Sequence, residues 1–269
     1  MEYITAKGVD VPVLGFGTWP MKGETCRTAV QHALDSGYRH IDTAQMYNNE
    51  GAVGQAITNS GVPREDVFLV TKIRRQNLAH DDVLSTVTES VQRLGTEIDL
   101  LLIHSPSRTV PIEESISAMN ELQERGIVEH IGVSNFSVEQ MRQAIAASNT
   151  PILTNQVEYH PFKNQSEILK FCIENGVLLT AYSPLGQGRA IENKVLEGIG
   201  EQYGKTAAQV ALRWLIHQEM VAAIPKASSQ IHIEENFEVF DFELTDEEMD
   251  RIFDIQGGLL SQLRSLLGL

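Results

Sequence analysis

The chain has 269 residues, 42% of them hydrophobic and 21% charged, with a formal net charge of −15 and a pI near 4.9. That length suits one α/β domain over residues 1–269, able to bury roughly three quarters of its unfolded surface. The acidic balance speaks against nucleic acid or an anionic membrane as partner, since both share its sign. Cys26 and Cys172 have no neighbouring cysteine and no metal-ligand spacing, so two reduced thiols and no bound metal are expected. No run is apolar enough to cross a bilayer, and a cytoplasmic monomer is the simplest expectation.

Residues 3–11 alternate around Gly8 and Asp10 and read as a short β-hairpin that closes the bottom of a barrel. Eight strand-like runs follow: 13–18, 40–44, 67–73, 99–104, 129–134, 152–158, 177–183 and 221–225. Helical patterns separate them, the signature of repeated βα units. Ser137 with Gln140, Thr206 with Gln209, and Thr245 with Glu248 have capping-box spacing and mark helix starts. Between the last two strands there is room for two helices, 193–203 and 206–217, parted by Gly204. The order predicts an α/β fold, a (β/α)8 TIM barrel with an N-terminal hairpin and one or two extra helices. After Gly257 and Gly258 the tail, with Leu259, Leu260, Leu263, Leu266 and Leu267, is a short helix or a frayed end, covering the site or packing on the barrel wall.

Three of the runs end in an ionisable group, Asp42 two residues before the end of its run, Lys72 one before, and His104 at the end; Tyr47 follows the first in a loop. In a parallel barrel those carboxyl ends meet on one rim. Singly, each residue has a bland reading: a packed tyrosine, a turn aspartate, a structural ion pair, a hydrogen-bonded core histidine. Jointly they are what protonating a carbonyl oxygen requires. A tyrosine pKa of about 10 must fall by about 3 units, about 4 kcal/mol, to match neutral pH, and one ammonium about 4 Å away at an effective dielectric of about 20 supplies that. Lys72 is the candidate cation. Asp42 would keep it charged against desolvation, and neutral His104 would orient the substrate oxygen toward Tyr47.

Side chains carry no hydride, so a cofactor is implied. The stretch from Gly15 to Pro20 has proline where a dinucleotide fingerprint needs glycine, which makes a Rossmann site a poor fit. Better phosphate candidates are the loop from Ser183 to Gly188, and Lys226 with Ser228 ahead of a helix N-terminus.

The segments Ile41-Asp42-Thr43-Ala44 with Tyr47, Thr71-Lys72 and Leu102-Ile103-His104 resemble the three signature regions of the aldo-keto reductase superfamily. So do Gly132 to Phe136, Asn155 to His160 and Ala181 to Leu185, and the likeness runs from about Val13 to about Ile255. It implies an NAD(P)H-dependent reductase with Asp42, Tyr47, Lys72 and His104 as its tetrad. It further implies that Ser134, Asn135 and Gln156 hold the nicotinamide carboxamide while Tyr182 stacks on the ring. Thr18, Ser183, Leu185 and Gly186 would meet ribose and pyrophosphate, Glu235 and Asn236 the adenine, and Trp19 the substrate together with Tyr47 and His104. Lys226 would contact the 2′-phosphate of NADPH. His232 stands where many members have arginine and lacks the fork that grips phosphate, so use of NADH beside NADPH is expected. Short connections after His104 and Tyr159 look most like bacterial diketogluconate and methylglyoxal reductases, which implies small aldehydes, α-dicarbonyls or keto sugars as substrates.

Two rivals have distinct signatures. A nucleotide-sensing barrel that binds NADPH with little turnover has no need of a proton donor such as Tyr47. An aldolase using Lys72 as a Schiff base needs a depressed lysine pKa, which Asp42 opposes.

Overall fold

The computed structural model describes residues 1–256; the Leu-rich tail and the expectations for it lie outside them. β1 (Tyr3–Ala6) and β2 (Val9–Pro12) form the expected antiparallel hairpin, with Tyr3 opposite Pro12. Both turn residues have positive φ, Lys7 at 52° and Gly8 at 84°, which matches the twist of the strands they join. Ala6 and Val11 bury against Val70, Leu100, Leu102, Leu153, Leu178 and Ala222. The hairpin therefore plugs one end of the barrel and leaves the other for chemistry.

Eight parallel strands pair in chain order: β3 (Gly15–Gly17), β4 (His40–Asp42), β5 (Phe68–Ile73), β6 (Ile98–Ile103), β7 (Val128–Ser134), β8 (Ile152–Glu158), β9 (Leu178–Tyr182) and β10 (Val221–Ile224). A bridge between Leu14 and Ala223 closes the ring, with Ala223 N–H donating to Val13 C=O and Gly17 N–H to Pro225 C=O, each at 2.8 Å. The predicted first strand is shortened for that reason: Val13 and Leu14 meet the last strand, and only Gly15–Gly17 pairs with β4. A Cβ at Gly15 would lie 2.7 Å from Cγ of His40. The glycines of this stretch serve barrel closure, in keeping with the poor Rossmann fit.

Six helices follow β3 to β8 singly: α1 (Gly23–Asp35), α2 (Glu50–Asn59), α3 (His80–Leu94), α4 (Ile112–Glu124), α5 (Val138–Ala147) and α6 (Ser166–Asn175). α7 (Lys194–Tyr203) and α8 (Ala207–Ile216) lie between β9 and β10, and α9 (Gln230–Phe237) and α10 (Asp246–Asp254) follow β10. Among the described residues that is two helices more than a plain eightfold repeat. All three capping boxes form, at Ser137, Thr206 and Thr245. None of the helices among the described residues is long and apolar enough to cross a membrane.

Strand parity decides what reaches the barrel interior. Ile41, Leu69, Ile73, Leu101 and Ile103 belong to the core between strands and helices. The period of two then turns Asp42, Lys72 and His104 the other way, toward the barrel axis. Burying β-branched and leucine side chains under the helices is thus what aims three polar groups at one point.

Candidate active site

At the carboxyl ends of β4 and β5, Lys72 Nζ donates to Asp42 Oδ1 at 2.5 Å and to the Thr43 carbonyl at 2.8 Å. Both side chains are sealed from water, 1% exposed for Lys72 and 2% for Asp42. The second carboxylate oxygen accepts from Gln156 Nε2 at 2.8 Å, so the pair is hydrogen-bonded on both sides, as a buried ion pair must be to survive desolvation. Tyr47 ends a short 3-10 turn, Gln45–Tyr47. Its ring centroid lies 5.2 Å from Lys72 Nζ, and His104 meets the ring edge-on at 5.7 Å and 84°. The four residues that the sequence set on one rim are together.

Their protonation differs in one respect from expectation. Burial is the largest influence on Tyr47 and pushes the phenol above its ordinary value; the Lys72 ammonium pulls it down and the Asp42 carboxylate up. The expected lowering by Lys72 is present in sign but outweighed, because the phenol is desolvated along with its cation. Burial works against the charge on Lys72, yet Asp42 and then Tyr47 more than restore it, and its pKa is raised. That disfavours a Schiff-base role. For His104, burial and then Lys72 lower the pKa to about 4 against the opposing pull of Asp42. The imidazole is neutral at pH 7, the condition its orienting role requires, and its buried Nδ1 has no hydrogen-bond partner among the described residues.

A cleft of about 360 Å³ opens on this group and is lined in addition by Ser134, Asn135, Gln156 and Tyr182. Ser134 Oγ donates to the Gln156 carbonyl at 2.8 Å. Asn135 Nδ2 donates to the His104 carbonyl at 2.9 Å, and its Oδ1 accepts from Tyr182 Oη at 3.0 Å. One amide therefore ties the ends of β6, β7 and β9. Asn135 and Ser183 have φ of 61° and 49°, non-glycine strain of the kind that collects at functional sites.

Thr18, Trp19, Ser183 and Lys226 also line the cleft, although the Thr18 hydroxyl is buried and donates to the Asp42 carbonyl at 3.0 Å. The remaining residues expected at a cofactor lie outside it. Leu185 and Gly186 sit in the loop after β9, and Ser228 precedes α9, which Ser229 caps. His232 is exposed in the first turn of α9, Glu235 is half-buried, and Asn236 is buried further along the same helix. Pro184 and Gln187, inside the loop expected to meet phosphate, also face the cleft, as do Met46 and Ile224, for which the sequence suggested no role. Met46 carried a signal in hindsight, since it sits beside Tyr47 on a rim loop.

The donor set suits a nicotinamide. Amide and hydroxyl groups of Ser134, Asn135 and Gln156 match a carboxamide's donors and acceptors, Tyr182 offers an aromatic face, and exposed Lys226 offers a cation for phosphate.

The aldo/keto reductase family profile matches residues 13–256. The chain belongs to the aldo/keto reductase family. Similar members include an aldo-keto reductase of Mycolicibacterium smegmatis, 42% identical over 93% of this chain and 92% of that one. A glyoxal reductase of Bacillus subtilis is 38% identical over 91% of this chain and 89% of that one. Among solved structures, one assigned as a 2,5-diketo-D-gluconic acid reductase B superposes with a TM-score of 0.93 at 45% identity, covering 95% of this chain and 91% of the other. As a family member this aldo/keto reductase is an NAD(P)H-dependent oxidoreductase, and its (β/α)8 barrel is the family's fold.

Proposed function

We propose that the protein reduces the carbonyl of small aldehydes, α-dicarbonyls or keto sugars, with NADPH as the preferred cofactor and NADH as a usable one, and with Tyr47 as proton donor. The observation that carries this reading is the meeting of a phenol, a buried ammonium–carboxylate pair and a neutral imidazole at one cleft. The bound nicotinamide would supply the hydride.

The chain's own groups then have separate tasks. His104, uncharged, donates a hydrogen bond to the carbonyl oxygen and fixes its position. Tyr47, protonated throughout the neutral range, gives its proton as negative charge develops on that oxygen. Lys72 stabilises the phenolate left behind, and Asp42 with Gln156 keeps Lys72 charged and in place. Ser134, Asn135 and Gln156 would orient the carboxamide, Tyr182 would cover one ring face, and Lys226 would take the 2′-phosphate. Thr18, Ser183, Leu185 and Gly186 would meet ribose and pyrophosphate, with Ser228, His232, Glu235 and Asn236 along the adenosine end. Trp19 and Met46, both more than half exposed, give the mouth an apolar lip suited to small carbonyls. The glyoxal reductase and diketogluconate reductase names of its relatives support α-dicarbonyls and keto sugars.

The test is NADPH oxidation followed by absorbance with glyoxal, methylglyoxal and a keto sugar acid. Turnover with any of them supports the proposal. Nucleotide binding with no turnover on all of them would favour the sensing barrel instead.

A further inference from the structure

We infer that Gln45 and Arg74 form a clamp that positions Tyr47 from outside the cleft, a role that rests on Tyr47 being the proton donor. The turn carrying Tyr47 has little rigidity of its own. Its backbone bonds are Tyr47 N–H to Ala44 C=O at 3.0 Å and Asn48 N–H to Gln45 C=O at 3.4 Å, and a single 3-10 turn is weakly stable by itself. Side chains supply what the backbone does not.

Gln45 is 4% exposed, and its amide has two donor hydrogens and two acceptor lone pairs. All four are engaged. Nε2 donates to Thr86 C=O and to Ser90 Oγ, each at 3.2 Å, both on α3. Oε1 accepts from Arg74 N–H at 3.0 Å and from Asn77 Nδ2 at 3.4 Å, both just beyond β5. Arg74 closes the clamp from the other direction: Nη2 donates to Gln45 C=O at 2.6 Å and to Asn48 Oδ1. Asn48 holds a left-handed φ of 53°, so the chain leaves the turn in a conformation that this contact secures. The turn is therefore pinned before and after Tyr47 to the segment that follows Lys72.

Neither clamp residue reaches the cleft that holds Tyr47. Both line a separate polar cleft of about 390 Å³ together with Asn77 and Arg93. A change there cannot remove a substrate contact, yet a donor displaced by about 1 Å can lose on the order of 100-fold in rate.

The experiment is a double-variant cycle on kcat with Arg74→Met, Arg74→Lys, Gln45→Leu and Tyr47→Phe. Arg74→Met is expected to lower kcat about tenfold or more while NADPH dissociation constants stay within about twofold, and Arg74→Lys to recover part of the loss. In the Tyr47→Phe background, Arg74→Met is expected to cost nothing further, because the group it positions is gone. Gln45→Leu leaves buried partners unpaired; if it does not fold, the half-exposed Arg74 site decides. Parent-like kcat in Arg74→Met, or a loss that multiplies with that of Tyr47→Phe, would overturn the clamp while leaving Tyr47 as donor. Full activity of Tyr47→Phe alone would overturn the donor reading and the clamp together.

Discussion

Removing Lys72 exposes how much of the fold is staked on the site. In Lys72→Met the side chain keeps its apolar stem, but the Asp42 carboxylate, 2% exposed, loses the cation 2.5 Å away and keeps only Gln156 at 2.8 Å. Breaking a buried pair by deleting one partner costs about 3–5 kcal/mol, because an uncompensated charge remains inside. For a chain of this size each 1 kcal/mol lowers the melting temperature by roughly 2–4 °C, so a drop of roughly 6–20 °C is expected. Lys72→Met with Asp42→Asn removes both charges and should regain most of that loss, since a neutral amide can still bond Gln156. Thermal and urea unfolding followed by circular dichroism measure both variants, and kcat in each stays low for want of the ammonium. A Lys72→Met protein that melts with the parent would refute the claim that this pair is desolvated and mutually dependent. So would a double variant less stable than the single one.

Other consequences are independent of that pair. With its pKa near 4, His104 is uncharged above about pH 5 and gains its proton only as pH falls through 4. Imidazole chemical shifts should then titrate with that midpoint, and kcat/KM should show no inflection near 6.5, the ordinary histidine value; an inflection there that disappears in His104→Gln contradicts the assignment. Lys226→Met should raise the KM for NADPH by about tenfold, one lost charge-assisted bond of roughly 1.5 kcal/mol, and barely alter that for NADH. If His232 occupies the place where many family members grip the 2′-phosphate with arginine, as proposed, the parent's preference for NADPH should fall short of about a thousandfold, and His232→Arg should increase it; equal Michaelis constants in parent and variant would remove His232 from the nucleotide site.

What could be read from the sequence follows from how local the governing physics is. Asp42, Lys72 and His104 were legible because each stands at or near the carboxyl end of an apolar strand run, which a parallel barrel brings to one rim; parity alone did not single them out, since Val70, Leu100 and Leu102 also face the interior. The capping boxes at Ser137, Thr206 and Thr245 were legible for a similar reason, each needing only a window of four residues. The bond from Gln156 to Asp42 spans 114 positions and depends on how the barrel closes, which no window of sequence encodes. The same is true of Val13 and Leu14, taken from the first strand by the last. The phenol's raised pKa was misjudged because charge proximity can be guessed from residue types, whereas burial depends on the whole rim. Gln45 was silent in the sequence, one polar residue among several in a loop, until α3 and the end of β5 supplied its four partners.

The most direct measurement is kcat for Tyr47→Phe with methylglyoxal and saturating NADPH, alongside the dissociation constant for NADPH. Deletion of the phenolic oxygen is predicted to lower kcat by at least about 100-fold with nucleotide affinity unchanged, the loss typical of a missing general acid. Turnover at the parent rate would mean that another group protonates the carbonyl oxygen and that Tyr47 is not the donor.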